Sequence, residues 1–289
     1  MKFWQVASFC EPEQLLEIAR GAEDAGFHGV LLSDHLFFPG QLVSRYPYAP
    51  DGKPAFDGAT PFPDAWTTIA AMAAVTSSLH FGTLVYILPL RHPLEVAKTV
   101  GTAAVLSGGR VMLGCGAGWI REEYDALGVD FATRGRRYDE MIEVLRKAWT
   151  GKMVEHRGRC FDLGAFQMSP APRDPVPICM GGASNAALRR AARLGDGWIG
   201  TGQSPDEARA LLGRLRALRS EAGRASLPFE AIVPLSVPPD RDVLRSLAAD
   251  GMTATTAWPF SYTIGPRSTI QQKRDAMRRF GDEVIAKLS

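Results

Sequence analysis

Ser33, Asp34 and His35 follow directly on the apolar run Gly29-Val30-Leu31-Leu32, which places a histidine at the C-terminal end of a strand. A side chain that titrates near neutrality can donate or accept a proton there. Held by a neighbouring carbonyl it would instead be structural, and taken alone the two readings stand even. Two glycine-rich turns offer backbone donors. In Leu113-Gly114-Cys115-Gly116-Ala117-Gly118-Trp119 the glycines let the chain lie flat against a ligand or turn sharply at a strand end. The alternation is not a dinucleotide fingerprint, which opens a first strand–helix turn and has an acidic residue about 20 positions on, closing the second strand. Here the turn follows the fourth predicted strand, and Asp139 falls inside a predicted helix. Pro177-Ile178-Cys179-Met180-Gly181-Gly182-Ala183-Ser184-Asn185 runs from a strand through a small turn into a helix. The free N–H groups of such a helix start, with the Ser184 hydroxyl, suit an anion, and Ser184 equally suits a helix cap.

Charged residues are less specific. Arg91 and His92 stand between a strand and a helix, where they either meet an anionic ligand or form a capped turn with a solvated arginine; the second is favoured. Arg134, Arg136 and Arg137 cluster at a helix start, the end whose dipole disfavours cations. Asp139 and Glu140 are expected to neutralise them, and an acidic ligand tail is the alternative. The histidines show no His-x-His or His-Glu-x-x-His metal spacing. There is no Gly-x-Ser-x-Gly nucleophile elbow either.

Residues at strand ends need strands to hold them. Apolar runs at 3–9, 29–33, 80–87, 110–115, 176–181, 197–200, 229–235 and 253–258 read as parallel strands covered on both faces. Helical periodicity at 12–25, 64–78, 93–107, 133–149, 184–194, 205–223, 240–250 and 268–286 alternates with them. Leu15, Ala19, Ala22 and Ala25 share one face of the first helix. Strict alternation of eight and eight predicts a single (β/α)₈ TIM barrel over 1–289, ahead of a doubly wound sheet. Two insertions break the pattern. Residues 36–63, after the second strand, are rich in aromatics and proline and lie on the catalytic face of a barrel. Residues 151–175, after the fourth strand, predict a hairpin of Met153–His156 against Arg159–Leu163 and then a proline-rich link.

The 289 residues are 46% hydrophobic and 22% charged, with a formal net charge of +2. That balance argues against nucleic acid and against an anionic membrane surface as partners. The best apolar run, Leu84 to Leu88, stops at Pro89, far short of the roughly 20 residues of a membrane span. The first ten residues read as a strand and not as a secretion signal. Four scattered cysteines at positions 10, 115, 160 and 179 suggest reduced thiols and a cytoplasmic protein.

Several of these stretches resemble the luciferase-like monooxygenase family. They are Gly82-Thr83 through Pro93, Leu106 to Arg110, Gly114 to Glu123, Gly128 to Phe131, Pro177 to Ser184 and Ala187 to Ala192. The likeness covers roughly residues 3–200, and it is nearest the branch that uses the deazaflavin coenzyme F420. The resemblance implies a TIM barrel with the cofactor ring at the strand C-termini. It implies a non-prolyl cis peptide, by position Leu84-Val85, forming a bulge under the ring. The phosphate would sit on Gly182, Ala183 and Ser184, and Gly116, Ala117 and Gly181 would complete the cofactor site. His35 matches the family's active-site histidine, and Phe37 and Trp119 would wall the substrate pocket. Ala117 departs from the flavin-dependent luciferases, which carry a phosphate-reaching arginine there, and this leans toward F420 over FMN. The expected function is hydride transfer to or from a small organic substrate by a homodimer, with no metal. Arg91 and the Arg134–Arg137 cluster are the expected contacts for the cofactor's acidic tail. The rivals are an FMN-dependent monooxygenase and a deazaflavin-binding protein without turnover.

Overall fold

In the computed structural model, which describes residues 1–288, eight parallel barrel strands close into a ring. In chain order the elements begin with β1 (Lys2–Val6), α1 (Leu15–Asp24), β2 (Gly29–Leu32) and α2 (Ala65–Ala73). The third barrel strand is split into β3 (His80–Thr83) and β4 (Tyr86–Ile87), followed by α3 (Pro93–Leu106) and β5 (Val111–Gly116). Then come α4 (Arg121–Ala126), α5 (Arg134–Ala148) and a hairpin of β6 (Val154–Arg157) and β7 (Asp162–Phe166). The second half runs β8 (Ile178–Gly181), α6 (Asn185–Leu194), β9 (Gly197–Ile199), α7 (Pro205–Glu221), β10 (Glu230–Val233), α8 (Arg241–Ala249) and β11 (Ala254–Ala257). Short α9 (Phe260–Thr263), then α10 (Ile270–Phe280), a π-helical turn and α11 (Ala286–Leu288) end the described chain. The barrel closes between β1 and β11 on one side and between β3 and β5 on the other.

The predicted strands all appear, the third split in two and the others with bounds displaced by up to three residues, because buried parallel strands are legible as short apolar runs. Trp4, Leu31, Met112, Cys179, Ile199, Ile232 and Ala254 form one buried cluster, with Leu84 and Val85 packed against it. Outside the ring, α1 buries Leu15, Ile18, Ala19 and Ala22 along its inner face. Ser204 and Glu207 form the capping box expected of α7. No described helix is long and apolar enough to cross a membrane.

Two expectations need correction. The hairpin is shifted: β6 pairs with β7 through Val154–Phe166, His156–Leu163 and Arg157–Asp162, so Arg159, Cys160 and Phe161 belong to the turn. The cause lies on α5, where the Glu140 carboxylate accepts the amides of all three turn residues and the His156 ring. Sequence periodicity also misses α4, a six-residue polar helix too short to show a repeat.

At the N-terminal rim of the barrel, His28 stacks on His80 with ring centroids 4.5 Å apart, and Trp4 meets His28 edge-on. Burial, then His80 and Lys2, drive the His28 pKa down to about 3; burial, Lys2 and Arg110 lower His80 in the same direction. The unfolded chain takes up these protons near pH 6.5 while the folded chain resists them. Stability is therefore lost as pH falls below about 6.5, at about 1.4 kcal/mol per pH unit for each withheld proton. Thermal melts from pH 7 to pH 4 should show a steeper fall for the native protein than for His28→Phe. Parallel curves would remove the histidine pair as the cause.

Candidate active site

Three consecutive residues leaving β2 do three different things. Ser33 Oγ donates to the Leu84 carbonyl at 3.2 Å and is also hydrogen-bonded to Ser8 Oγ. Asp34, buried, accepts the Ile87 amide at 2.8 Å and both arms of the Arg91 guanidinium at 2.5 and 2.7 Å. His35 turns the other way, toward the loop that follows it.

The Leu84–Val85 peptide is cis, at the position the family resemblance implies. Gly82 opposes Met112 and Tyr86 opposes Cys115, so Thr83, Leu84 and Val85 stand against only Leu113 and Gly114. One extra residue on this strand makes a bulge. Val85 projects over the ends of the neighbouring strands, and a Cβ added at Gly116 or Gly181 would lie 2.7 Å from its methyl groups. Only glycine lets these strand ends lie that close to Val85.

His35 Nδ1 lies 3.2 Å from Glu123 Oε2, and Glu123 Oε1 accepts the Leu36 amide at 2.7 Å. The Glu123 side chain is fully buried, and that of His35 is 11% exposed. An Nδ1–H donated to this carboxylate leaves Nε2 as the ring's acceptor, and Nε2 has no partner among the described residues. The ring contacts Phe56, Phe62 and Trp119 and lines a cavity of about 180 Å³ with Leu36, Phe37, Phe38, Phe56 and Phe62 and with Asp57, Gly58 and Thr60. Phe37 is thus one of the residues that line this cavity. Trp119 backs the wall, against His35, Tyr46 and Phe56. Glu123 lies on α4 and is the residue that sequence reasoning overlooked.

Its neighbour Glu122 fastens the aromatic loop. Its carboxylate accepts the amides of Val43 and Ser44 at 2.6 and 3.0 Å and the Ser44 hydroxyl at 2.6 Å. Burial alone would raise its pKa, but the Ser44 hydroxyl and these amides together pull it down to about 2.

Across the barrel mouth, Gly182 has φ +115°, a conformation that glycine adopts freely and L side chains rarely do. Ser184 caps α6 by accepting the Ala187 amide at 3.2 Å. Gly181, Gly182 and Ala183 lead into that helix start. The Ala117 carbonyl accepts the Tyr124 hydroxyl at 2.5 Å, and Ala117 offers no side chain to an anion.

The arginines are mostly committed elsewhere. Arg91 belongs to Asp34 and stacks 4.1 Å over Tyr86, so it is neither solvated nor free for an acidic tail. His92 caps α3, its Nδ1 accepting the Leu94 amide. Arg134 lies on Phe131 and Arg137 on Phe161, which leaves Arg136 as the exposed member of that cluster. Asp139 and Glu140 do not neutralise them: Asp139 pairs with Arg190 and Arg193, and Glu140 holds the hairpin turn. All four cysteines are free thiols.

Comparison with known proteins bears on the family and the fold. A family model described as luciferase-like monooxygenase matches residues 5–285. An uncharacterized protein of Mycobacterium tuberculosis (strain ATCC 25618 / H37Rv) is 39% identical over 290 residues, covering 100% of both chains. An F420-dependent glucose-6-phosphate dehydrogenase of Gordonia bronchialis is 29% identical over 287 residues, covering 95% of this chain and 77% of the relative. Among solved structures, the monooxygenase RslO1 from Streptomyces bottropensis superposes with a TM-score of 0.79 at 20% identity, over 100% of both chains.

Proposed function

The chain belongs to the luciferase-like monooxygenase family, and on that premise we propose that it is a coenzyme F420-dependent oxidoreductase. The reaction is hydride transfer between the deazaflavin and a small organic substrate. One arrangement carries this reading: a histidine oriented by a buried carboxylate lines a phenylalanine-rich cavity in a barrel that also holds the glycine-flanked bulge at Leu84–Val85. The F420-dependent dehydrogenase among the relatives supports the choice of cofactor.

The residues present fit such a group. Gly116 and Gly181 leave the bulge uncovered by side chains of their own, and Gly182, Ala183 and Ser184 offer a glycine turn running into a helix N-terminus, suited to a phosphate. When bound, the deazaflavin accepts or supplies the hydride. The chain does the rest. His35 Nε2 takes the proton from a substrate hydroxyl, or returns it to a carbonyl oxygen in the reverse direction. Glu123 holds Nδ1–H, fixing the tautomer and the orientation of the ring. Phe37, Phe38, Phe56 and Phe62 exclude water from the transfer.

FMN is the competing cofactor, and it lacks the acidic tail of F420. Titration of the pure protein with each should give at least about tenfold tighter binding of F420, weakening with added salt as tail contacts are screened. Arg136 is an exposed cation available for such a contact. Tighter binding of FMN, with no salt dependence, would return the protein to the monooxygenase reading.

A further inference from the structure

The loop after β2 crosses the barrel mouth. Its Ser44 is fastened to Glu122 on the α4 side, and Tyr46 packs against both Trp119 and Tyr48, with centroids 5.2 and 5.5 Å apart. Two residues further on, Tyr48 reaches the opposite rim. Its hydroxyl oxygen lies 3.4 Å from the point where a Cβ on Gly182 would stand. The Ala183 amide bears on the same oxygen, opposing the rise in the phenol's pKa that partial desolvation imposes, while the residue as a whole is 46% exposed. The Tyr48 O–H itself donates to no group among the described residues. A segment distant in sequence thus aims a spare donor at the turn that leads into α6.

We propose that Tyr48 is a phosphate ligand of the cofactor, its hydroxyl donating to the phosphate held by Gly182 and Ala183. This rests on the cofactor reading above and goes beyond it, because it assigns a contact from the substrate loop to the phosphate. The Ala183 amide carries one hydrogen. When a phosphate oxygen takes it, the phenol oxygen gives up that donor and turns its own hydrogen toward the anion. An O–H donated to a charged oxygen is among the stronger hydrogen bonds, so it offsets part of what the missing side chain at Ala117 leaves undone. The arrangement also couples two events. Cofactor phosphate on one rim steadies the loop whose other residues wall the substrate cavity, so the cavity is complete when the cofactor is in place.

The test compares native protein with Tyr48→Phe, which keeps the ring and removes only the hydroxyl. Binding is read by ligand fluorescence for two pairs of probes: F420 and its phosphate-free deazaflavin riboside, and FMN and riboflavin. The expected result is about 10- to 100-fold weaker binding of whichever phosphate-bearing member the protein prefers. The phosphate-free partner should bind equally well to both proteins. Equal or tighter binding of the phosphate-bearing ligand by Tyr48→Phe would overturn the proposal. Gly182→Val separates that failure from failure of the cradle. If it loses affinity while Tyr48→Phe does not, Tyr48 alone is misassigned. If neither variant differs from native, or no phosphate-bearing probe binds at all, the cradle reading falls together with the proposal.

Discussion

Turnover of a His35→Ala variant should fall by about 10²–10⁴-fold, the usual contribution of a positioned general acid or base. The expectation rests on one nitrogen. Nδ1 is occupied by Glu123, so Nε2 is the ring nitrogen left for a substrate, and alanine removes it without touching the glycine turns across the barrel mouth. Cofactor affinity should therefore change much less than the rate. A Glu123→Gln variant provides the second arm: its amide can present N–H to Nδ1 and so favour the wrong tautomer, lowering kcat while His35 is still present. The measurement is steady-state kinetics with cofactor titration on the same preparations. An alanine variant with native kcat and native pH dependence would leave His35 a structural residue.

The second large effect is expected at Gly182. Valine there should weaken binding of the phosphate-bearing cofactor by about 10²-fold or more, the loss expected of two or more charge-assisted hydrogen bonds. Two causes act together. The residue has φ +115°, which a β-branched side chain resists, and its Cβ would stand 3.1 Å from the Ala187 Cβ and 3.4 Å from the Tyr48 oxygen. Circular dichroism and a thermal melt establish that the variant folds before the titration is read. A folded variant with native affinity would remove the phosphate cradle from this turn.

How much of this was legible in the residues depended on distance along the chain. The barrel strands showed because parallel strands covered on both faces are apolar throughout, and His35 showed because it follows one of them directly. The partner that orients it did not show. Glu123 lies on a short, polar helix with no periodicity to reveal it, and its link to His35 spans 88 positions. Arg91 misled for the same reason. In the sequence it is a cation beside a turn, and only closure of the barrel brings it to Asp34, 57 positions away. The aromatic loop announced itself by composition, yet nothing in its proline-rich, aperiodic residues indicated that Tyr48 would cross to Gly182. The hairpin register was set by Glu140 gathering three amides, a tertiary effect invisible in the alternation of the strands themselves.

The fastening of the loop to α4 defines a unit of exchange. The hydrogen bonds that residues 36–44 make with the rest of the chain all run to α4: Leu36 to Glu123, Val43 and Ser44 to Glu122, and Arg121 back to Ser44. A loop transplanted from another barrel without its matching α4 would arrive with these amides and this hydroxyl unclaimed, and with two carboxylates facing nothing. Recombination of substrate pockets on this scaffold should therefore move residues 36–63 and Arg121–Ala126 as a pair. The cut belongs immediately after His35, so that Ser33 and Asp34 stay behind with the strand they hold.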